Sequence, residues 1–165
     1  MAGIEALLVR PFGPADVDSW AQTEHQRHHL ALAVAAPGDY LAAVQPDGRV
    51  VGKIGIRYDE HPGAGTLHQF DVVEDLRGLG IGSLLLEQAE LRIRDRGCQR
   101  STLGVEESNS GAIRLYQRQG YEFVGAEDAE WDQEGPEGTI YRYHCRCLLM
   151  ERTLPTSRTG TARPL

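Results

Sequence analysis

Along this chain, apolar positions recur every second residue in some stretches and every third or fourth in others, and the changes of period mark its elements. Ala6 to Arg10 alternates weakly and ends at Pro11, which predicts a first strand. Asp16 can cap a helix running to about Ala35, in one piece or two, and Pro37-Gly38 stops it. Tyr40 to Val44 and Arg49 to Tyr58 flank Pro46-Asp47-Gly48, the pattern of an antiparallel hairpin. Strict alternation puts Val50, Ile54, Ile56 and Tyr58 on one face and Val51, Lys53 and Arg57 on the other. After the loop His61 to Gly65, Thr66 to Val73 reads as a strand with Thr66, His68, Phe70 and Val72 sharing a face. A helix follows from about Gly80 to Arg96, with Glu87 and Glu90 ahead of Arg92, Arg94 and Arg96 and with Gly97 as its stop. Ser101 to Val105 is the next strand, and Asn109 or Ser110 caps a helix that ends at Gly120. Tyr121 to Gly125 and the long stretch Thr139 to Arg152 supply the last two strands. The order implies an α+β fold built on one mixed sheet of about seven strands with about four helices.

The length of 165 residues suits one domain, here 1–154. The polar tail 155–165 lacks periodicity and is expected to be disordered, and no internal repeat is visible. An apolar share of 41% and a charged share of 25% are those of an ordinary globular chain. Apolar runs such as Leu30 to Ala36 are far too short to span a bilayer, so no membrane partner is expected. The start Met-Ala-Gly-Ile-Glu lacks a basic stretch followed by an apolar one, which points to the cytoplasm. Cys98, Cys145 and Cys147 are too few for a disulfide framework and read as reduced packing residues. A net charge of −7 argues against nucleic acid as the main partner and suits a cationic one, although most acidic surfaces are simply soluble ones.

Candidate chemistry begins at Arg77-Gly78-Leu79-Gly80-Ile81-Gly82-Ser83, between a predicted strand and the Gly80 to Arg96 helix. Unencumbered backbone N–H groups at a helix start form an anion cradle, and Arg77 adds a positive charge. A P-loop would need a lysine before Ser83, where Gly82 stands. A dinucleotide fingerprint would need a third glycine at Ser83 and an acid about 20 residues on, and neither is present. A glycine-rich turn with nothing bound remains a reading of the loop alone.

Farther on comes Asn109-x-x-Ala112-x-x-Leu115-Tyr116-x-x-x-Gly120-Tyr121. Together with Arg77-x-x-Gly80-x-Gly82 and Leu85, this pattern resembles the GNAT superfamily of N-acetyltransferases. The likeness covers about Ala6 to Leu154 and is sharp between Leu67 and Tyr121. It implies a mostly antiparallel sheet whose central parallel strands, Leu67 to Val73 and Ser101 to Val105, splay apart around the pantetheine arm of acetyl-CoA. It further implies main-chain contacts to the arm from Val72 and Val73, a pyrophosphate on the amides of Gly78, Leu79, Gly80, Ile81, Gly82 and Ser83 with Arg77 beside it, and a homodimer as a common assembly. Asn109 would reach the arm from the other side; a helix cap alone is an equal reading of it.

Acetyl transfer from a thioester to an amine needs an unprotonated amine, a donor for the developing oxyanion and a proton for the leaving thiolate. Tyr116 matches the family's general acid, against the plainer reading of an aromatic packing residue. His68 is the first choice of base, because its place nine residues before Arg77 resembles the catalytic-histidine pattern of serotonin N-acetyltransferases. There a second histidine stands two residues earlier, where this chain has Thr66, and a satisfied core histidine is the competing reading. Glu106 and Asp71 are fallbacks. The acceptor is expected opposite the acetyl-CoA, between the first helical region and the segment before the last strand. His25, His28 and His29 have helical spacing but no completing carboxylate or cysteine, so no metal is expected. Glu127, Asp128, Glu130, Trp131, Asp132, Glu134 and Glu137 read either as a solvated loop or as a seat for a cation. The resemblance thus implies transfer from acetyl-CoA to a primary amine, with charge favouring a small cationic acceptor. A protein N-terminus or lysine is the alternative acceptor, and a silent acyl-CoA-binding module the alternative outside enzymes.

Overall fold

A computed structural model describes residues 4–156. The predicted tail from 155 lies, beyond 156, outside the described residues. In chain order the elements are β1 (Leu8–Pro11), α1 (Pro14–Trp20), α2 (Glu24–Ala35), β2 (Asp39–Val44), β3 (Val50–Arg57) and β4 (Ala64–Val72). Then come α3 (Ile81–Asp95), β5 (Arg100–Glu106), α4 (Ser110–Arg118), β6 (Glu122–Glu134) and β7 (Ile140–Thr153). The seven strands form one sheet in the order β1-β2-β3-β4-β5-β7-β6, antiparallel throughout except for β4 beside β5. The expected class, a mixed and mostly antiparallel sheet with one central parallel pair and four helices, is the observed one.

Two apolar clusters cover the two faces. On one, Leu85, Leu86, Ala89 and Ile93 of α3 bury against Leu41, Ile54, Ile56, Leu67 and Leu103 of the sheet. On the other, Val17 of α1 and Leu30 of α2 cover Tyr40, Ala42 and Val44 of β2. Sheet positions between two helical layers are apolar on both sides, which is why β2 and β3 are buried almost end to end.

Several local expectations are corrected. Gly13 rather than Asp16 stands at the start of α1; Asp16 sits a turn inside, accepting from the Gly13 N–H at 2.8 Å and pairing with Arg10 at 2.7 Å. The first helical region is two helices, because Thr23 caps a new one by accepting from the Gln26 N–H. On β3 the register steps from Ala43↔Gly52 to Val44↔Val50, so Val51 is an extra residue. That bulge shifts the alternation: Val51 joins Ile54 and Ile56 in the α3 cluster, while Val50 packs with the α1–α2 cluster. The largest difference is β6. Its expected end at Gly125 is overrun to Glu134, and its residues pair with β7 through Glu134↔Ile140. The acidic stretch from Glu127 to Glu134 is therefore a strand and not a loop. Most of it is exposed and none of it is fully buried, so no alternation of burial marked it in the chain.

A buried polar knot ties α3 to the end of this sheet. The Tyr121 hydroxyl donates to Glu90 at 3.0 Å and lies 2.7 Å from the Ser101 hydroxyl, and Arg152 donates to the other Glu90 oxygen at 2.6 Å. Ser101 is fully buried and Glu90 nearly so, so each depends on these partners. Replacement of Tyr121 by Phe leaves two buried oxygens short of a partner. It should lower the unfolding free energy by about 1–3 kcal/mol, read from urea denaturation midpoints at constant slope.

Candidate functional site

Parallel pairing of β4 with β5 starts at Ala64↔Arg100 and ends at Leu67↔Leu103. Beyond it β4 continues to Val72 and β5 to Glu106 without each other, leaving a wedge in the middle of the sheet. The cause lies on β4. Its register with β3 steps from Lys53↔Asp71 to Gly55↔His68, so β4 carries an extra residue, and Gln69 takes the left-handed conformation with φ 49°.

This bulge also separates two residues expected to share a face. Phe70 turns to the α3 side, with its ring 6.2 Å from that of Tyr116. His68 turns to the α1–α2 side, over Gly55 and with its ring 5.9 Å from that of Tyr40. A Cβ on Gly55 would fall 2.5 Å from Nε2 of His68, so the imidazole occupies the space a side chain would need there.

A cleft of about 910 Å³ runs through the wedge on the α3–α4 side. Val72, Gly82, Val105, Asn109 and Tyr116 line it, as do His68 and Arg77 at its edge. Of the predicted residues, Leu79 and Val73 do not. Leu79 is exposed, and Val73 spends its N–H on the Val51 carbonyl at 2.9 Å and its carbonyl on the Leu76 N–H at 3.0 Å. Because successive N–H groups of a strand point to opposite edges, that of Val72 turns into the wedge. Its carbonyl accepts from Nε of Arg77 at 2.9 Å, and Arg77 also pairs with Asp71 at 3.2 Å.

At the mouth of this cleft the glycine turn opens α3. Gly78 and Gly80 have φ of 77° and 90°, which a residue with a Cβ adopts only under strain. No amide N–H from Gly78 to Ser83 donates to another backbone group among the described residues. Six unspent donors at a helix start fit a diphosphate, and the unpaired edge of β4 fits an amide-bearing arm. Asn109 caps α4 by accepting from the Ala112 N–H at 3.2 Å, so its cap role is observed and its Nδ2 remains to donate.

A second cleft, of about 1480 Å³, lies on the α1–α2 side between those helices, β3–β4 and the β6–β7 hairpin. Trp20, His25, Lys53, Glu127 and Trp131 line it. The two clefts share Leu67, His68, Gln69, Asp71, Val72, Arg77 and Gly104, so they meet through the wedge. Glu130 and Asp132 are committed to Arg142 at 2.9 and 3.1 Å. Glu74, Asp75 and Glu127 line the second cleft with no ion-pair partner among the described residues. His25 and His29 stack with centroids 4.3 Å apart, and no group of three or more His, Cys, Asp or Glu among the described residues could hold a metal ion.

Burial fixes the protonation states near the wedge. The Tyr116 hydroxyl is pushed up to about 12, so it keeps its proton at neutral pH. His68 is pushed down to about 4 by burial and by the charges of Arg57 and Lys53. Lys53 is pushed down to about 8 by burial, against the attraction of Asp71. Lys53 and Gln69 were not singled out in the chain. The available sign was a lysine set between Val51 and Ile54 on a strand that both layers cover.

Comparison with known proteins agrees with this geometry. Residues 2–121 match the model of the "Acetyltransferase (GNAT) family". An acetyltransferase of Pectobacterium atrosepticum is 30% identical over 117 residues, covering 71% of this chain and 74% of that protein. A mycothiol acetyltransferase of Pseudarthrobacter chlorophenolicus is 27% identical over 82% of this chain; the chain spans 46% of that relative's length. Among solved structures, a ribosomal-protein-alanine N-acetyltransferase of Escherichia coli superposes with a TM-score of 0.69 at 19% identity, over 96% of this chain and 99% of that one.

The lowered pKa of His68 carries a sign that can be measured. Between its ordinary value of 6.5 and about 4 the unfolded chain binds a proton that the folded one refuses. Its contribution to stability is therefore complete above pH 6.5 and is lost as pH falls towards 4. Denaturation midpoints measured from pH 7 to 4 should fall less steeply in His68→Gln than in the parent; equal slopes would show that the imidazole is not held neutral.

Proposed function

We propose that this acyltransferase, a chain that belongs to the acetyltransferase (GNAT) family, moves the acetyl group of acetyl-CoA directly to a primary amine of a small cationic molecule while both are bound. The observation that carries this reading is the pair of clefts on opposite faces of the sheet that meet through the wedge between β4 and β5. Two reactants can then be held at once, and neither has to leave before the other enters.

Acetyl-CoA supplies the activated thioester. The amides from Gly78 to Ser83 and the guanidinium of Arg77 hold the pyrophosphate, and Val72 and Asn109 hold the arm. The Val72 N–H donates to the carbonyl oxygen as it gains charge. The amine nitrogen bonds to the acetyl carbon and the carbon–sulfur bond breaks. One proton leaves the amine for His68, directly or through water, and Tyr116 gives one to the departing sulfur. A phenol with its pKa pushed up to about 12 is protonated when needed and can recover its proton readily. His68 lines both clefts, which supports a relay, and its neutral imidazole is ready to accept at any pH above about 4.

Support for a cationic acceptor comes from Glu74, Asp75 and Glu127 around the second cleft and from the exposed Trp131 ring on its wall. A seat for the acceptor in this cleft is supported by its place against the first helices and the β6–β7 hairpin, across the wedge from the first cleft.

Thiol release measured across a panel of amines tests the reading. Tyr116→Phe should cut kcat by about a hundredfold or more with acetyl-CoA affinity unchanged, and undiminished turnover would remove its role as acid. His68→Gln should lower kcat and abolish an acidic limb near pH 4, where the parent imidazole titrates. Acetyl-CoA binding with no amine turned over would favour a silent acyl-CoA-binding module.

A further inference from the structure

One charge at the floor of the second cleft has no ion-pair partner among the described residues. Lys53 is 8% exposed, yet no carboxylate of the described residues lies within ion-pair distance of it. Its ammonium donates to the Gln69 carbonyl at 2.7 Å and to the Tyr40 hydroxyl at 3.3 Å, and the Trp20 ring lies 5.5 Å away. An ammonium has three N–H donors, and the third has no protein acceptor within hydrogen-bond reach among the described residues. Asp71, its register partner on β4, is turned to Arg77 instead. The other ionisable groups that face it, His68 and Tyr40, are neutral near pH 7. Burying a charge without a counter-ion is costly, and an arriving anion would remove that cost.

The location says which anion. Nζ of Lys53 is one hydrogen bond from Gln69, whose residue lines both clefts and so borders the wedge. An anionic group seated on Nζ would therefore stand beside the wedge. An α-amine, one carbon from such a carboxylate, would then be the amine held next to the wedge, and the rest of the molecule would extend towards Glu127 and Trp131 on the hairpin.

We propose that Lys53 seats the carboxylate of the acceptor, and that the acceptor is a free α-amino acid with a second cationic group, acetylated on its α-nitrogen. This rests on the acyl-transfer reading above and narrows its acceptor. The new bond joins the α-nitrogen to the acetyl carbon, the thioester carbon–sulfur bond breaks, the amine loses one proton and the sulfur gains one. Lys53 takes part in none of these exchanges; it determines which amines reach the wedge. The cleft is then dipolar, with a cation on its floor at β3 and unpaired acids at its rim, matching a zwitterion with an extra positive charge.

Matched pairs that differ by the carboxylate test this: free lysine against cadaverine, ornithine against putrescine and arginine against agmatine, with an N-terminal peptide amine as a further arm. The amino acid of each pair should have the higher kcat/KM by about tenfold to a hundredfold, mainly through KM. Mass spectrometry should locate the acetyl group on the α-nitrogen. Lys53→Met also removes the bond to the Gln69 carbonyl and should lower turnover of every amine, but the ratio within each pair should still collapse to about one. Diamines used as well as their amino acids, acetylation confined to the side-chain nitrogen, or turnover of the peptide alone would each overturn the proposal while leaving acyl transfer standing. No turnover of any amine would instead overturn the acyl-transfer reading on which it rests. Should Lys53→Met fail to fold, the comparison of pairs with the unaltered protein decides alone.

Discussion

The centre of the sheet stays open because Gln69 occupies a conformation that a residue with a side chain avoids, and because two neighbours hold it there. A left-handed backbone at a non-glycine residue costs about 1–2 kcal/mol. Against that, the buried ammonium of Lys53 donates to its carbonyl and the Tyr40 hydroxyl donates to its side-chain oxygen, at 2.7 and 2.8 Å. A hydrogen bond from a charged group contributes about 1.5–3 kcal/mol, so the clamp can offset the strain. With the extra residue in place β4 bends away from β5, their ladder ends at Leu103, and the edge groups they would have exchanged face the cleft instead. The wedge, the turn of the Val72 N–H into it, and the division of His68 from Phe70 all follow from that one insertion.

Charge is distributed around this opening by burial as much as by sequence. Tyr116, His68 and Lys53 have all moved towards their neutral forms because the wedge removes water from them. Desolvation thus sets a protonated phenol and an unprotonated imidazole beside the wedge without a dedicated ion pair. The ends of the site behave differently. The glycine turn is exposed and takes its polarity from unspent amides at a helix start, which suits a large hydrated anion. The opposite cleft carries acids and arginines together, with Glu74, Asp75 and Glu127 outside any ion pair among the described residues.

The motif residues were legible in the chain because their chemistry is local. A run of glycines before an amphipathic helix announces free amides whatever surrounds it, and Asn109 followed by Tyr116 and Gly120 sets the start, face and stop of one helix. The separation of the two motifs carried the family, and hence the strand order. The period of α3 was equally readable, since its one buried face imposes the repeat. Beyond Gly125 the reading failed for the opposite reason: β6 has scarcely a buried residue there, and an exposed hairpin writes no period.

What the sequence by itself determined is the set of groups that could serve an acyl transfer and the elements that present them. The tertiary structure alone decided which face each group occupies. Side chains on a strand alternate with a period of two, so one inserted residue reverses every assignment beyond it, and neither the bulge at Val51 nor that at Gln69 has a composition that marks it. It likewise decided that Lys53 is a buried cation at the floor of a cleft and not a solvated one. Burial, counter-ions and the meeting of two clefts are properties of residues far apart in the chain, and they exist once the sheet has formed.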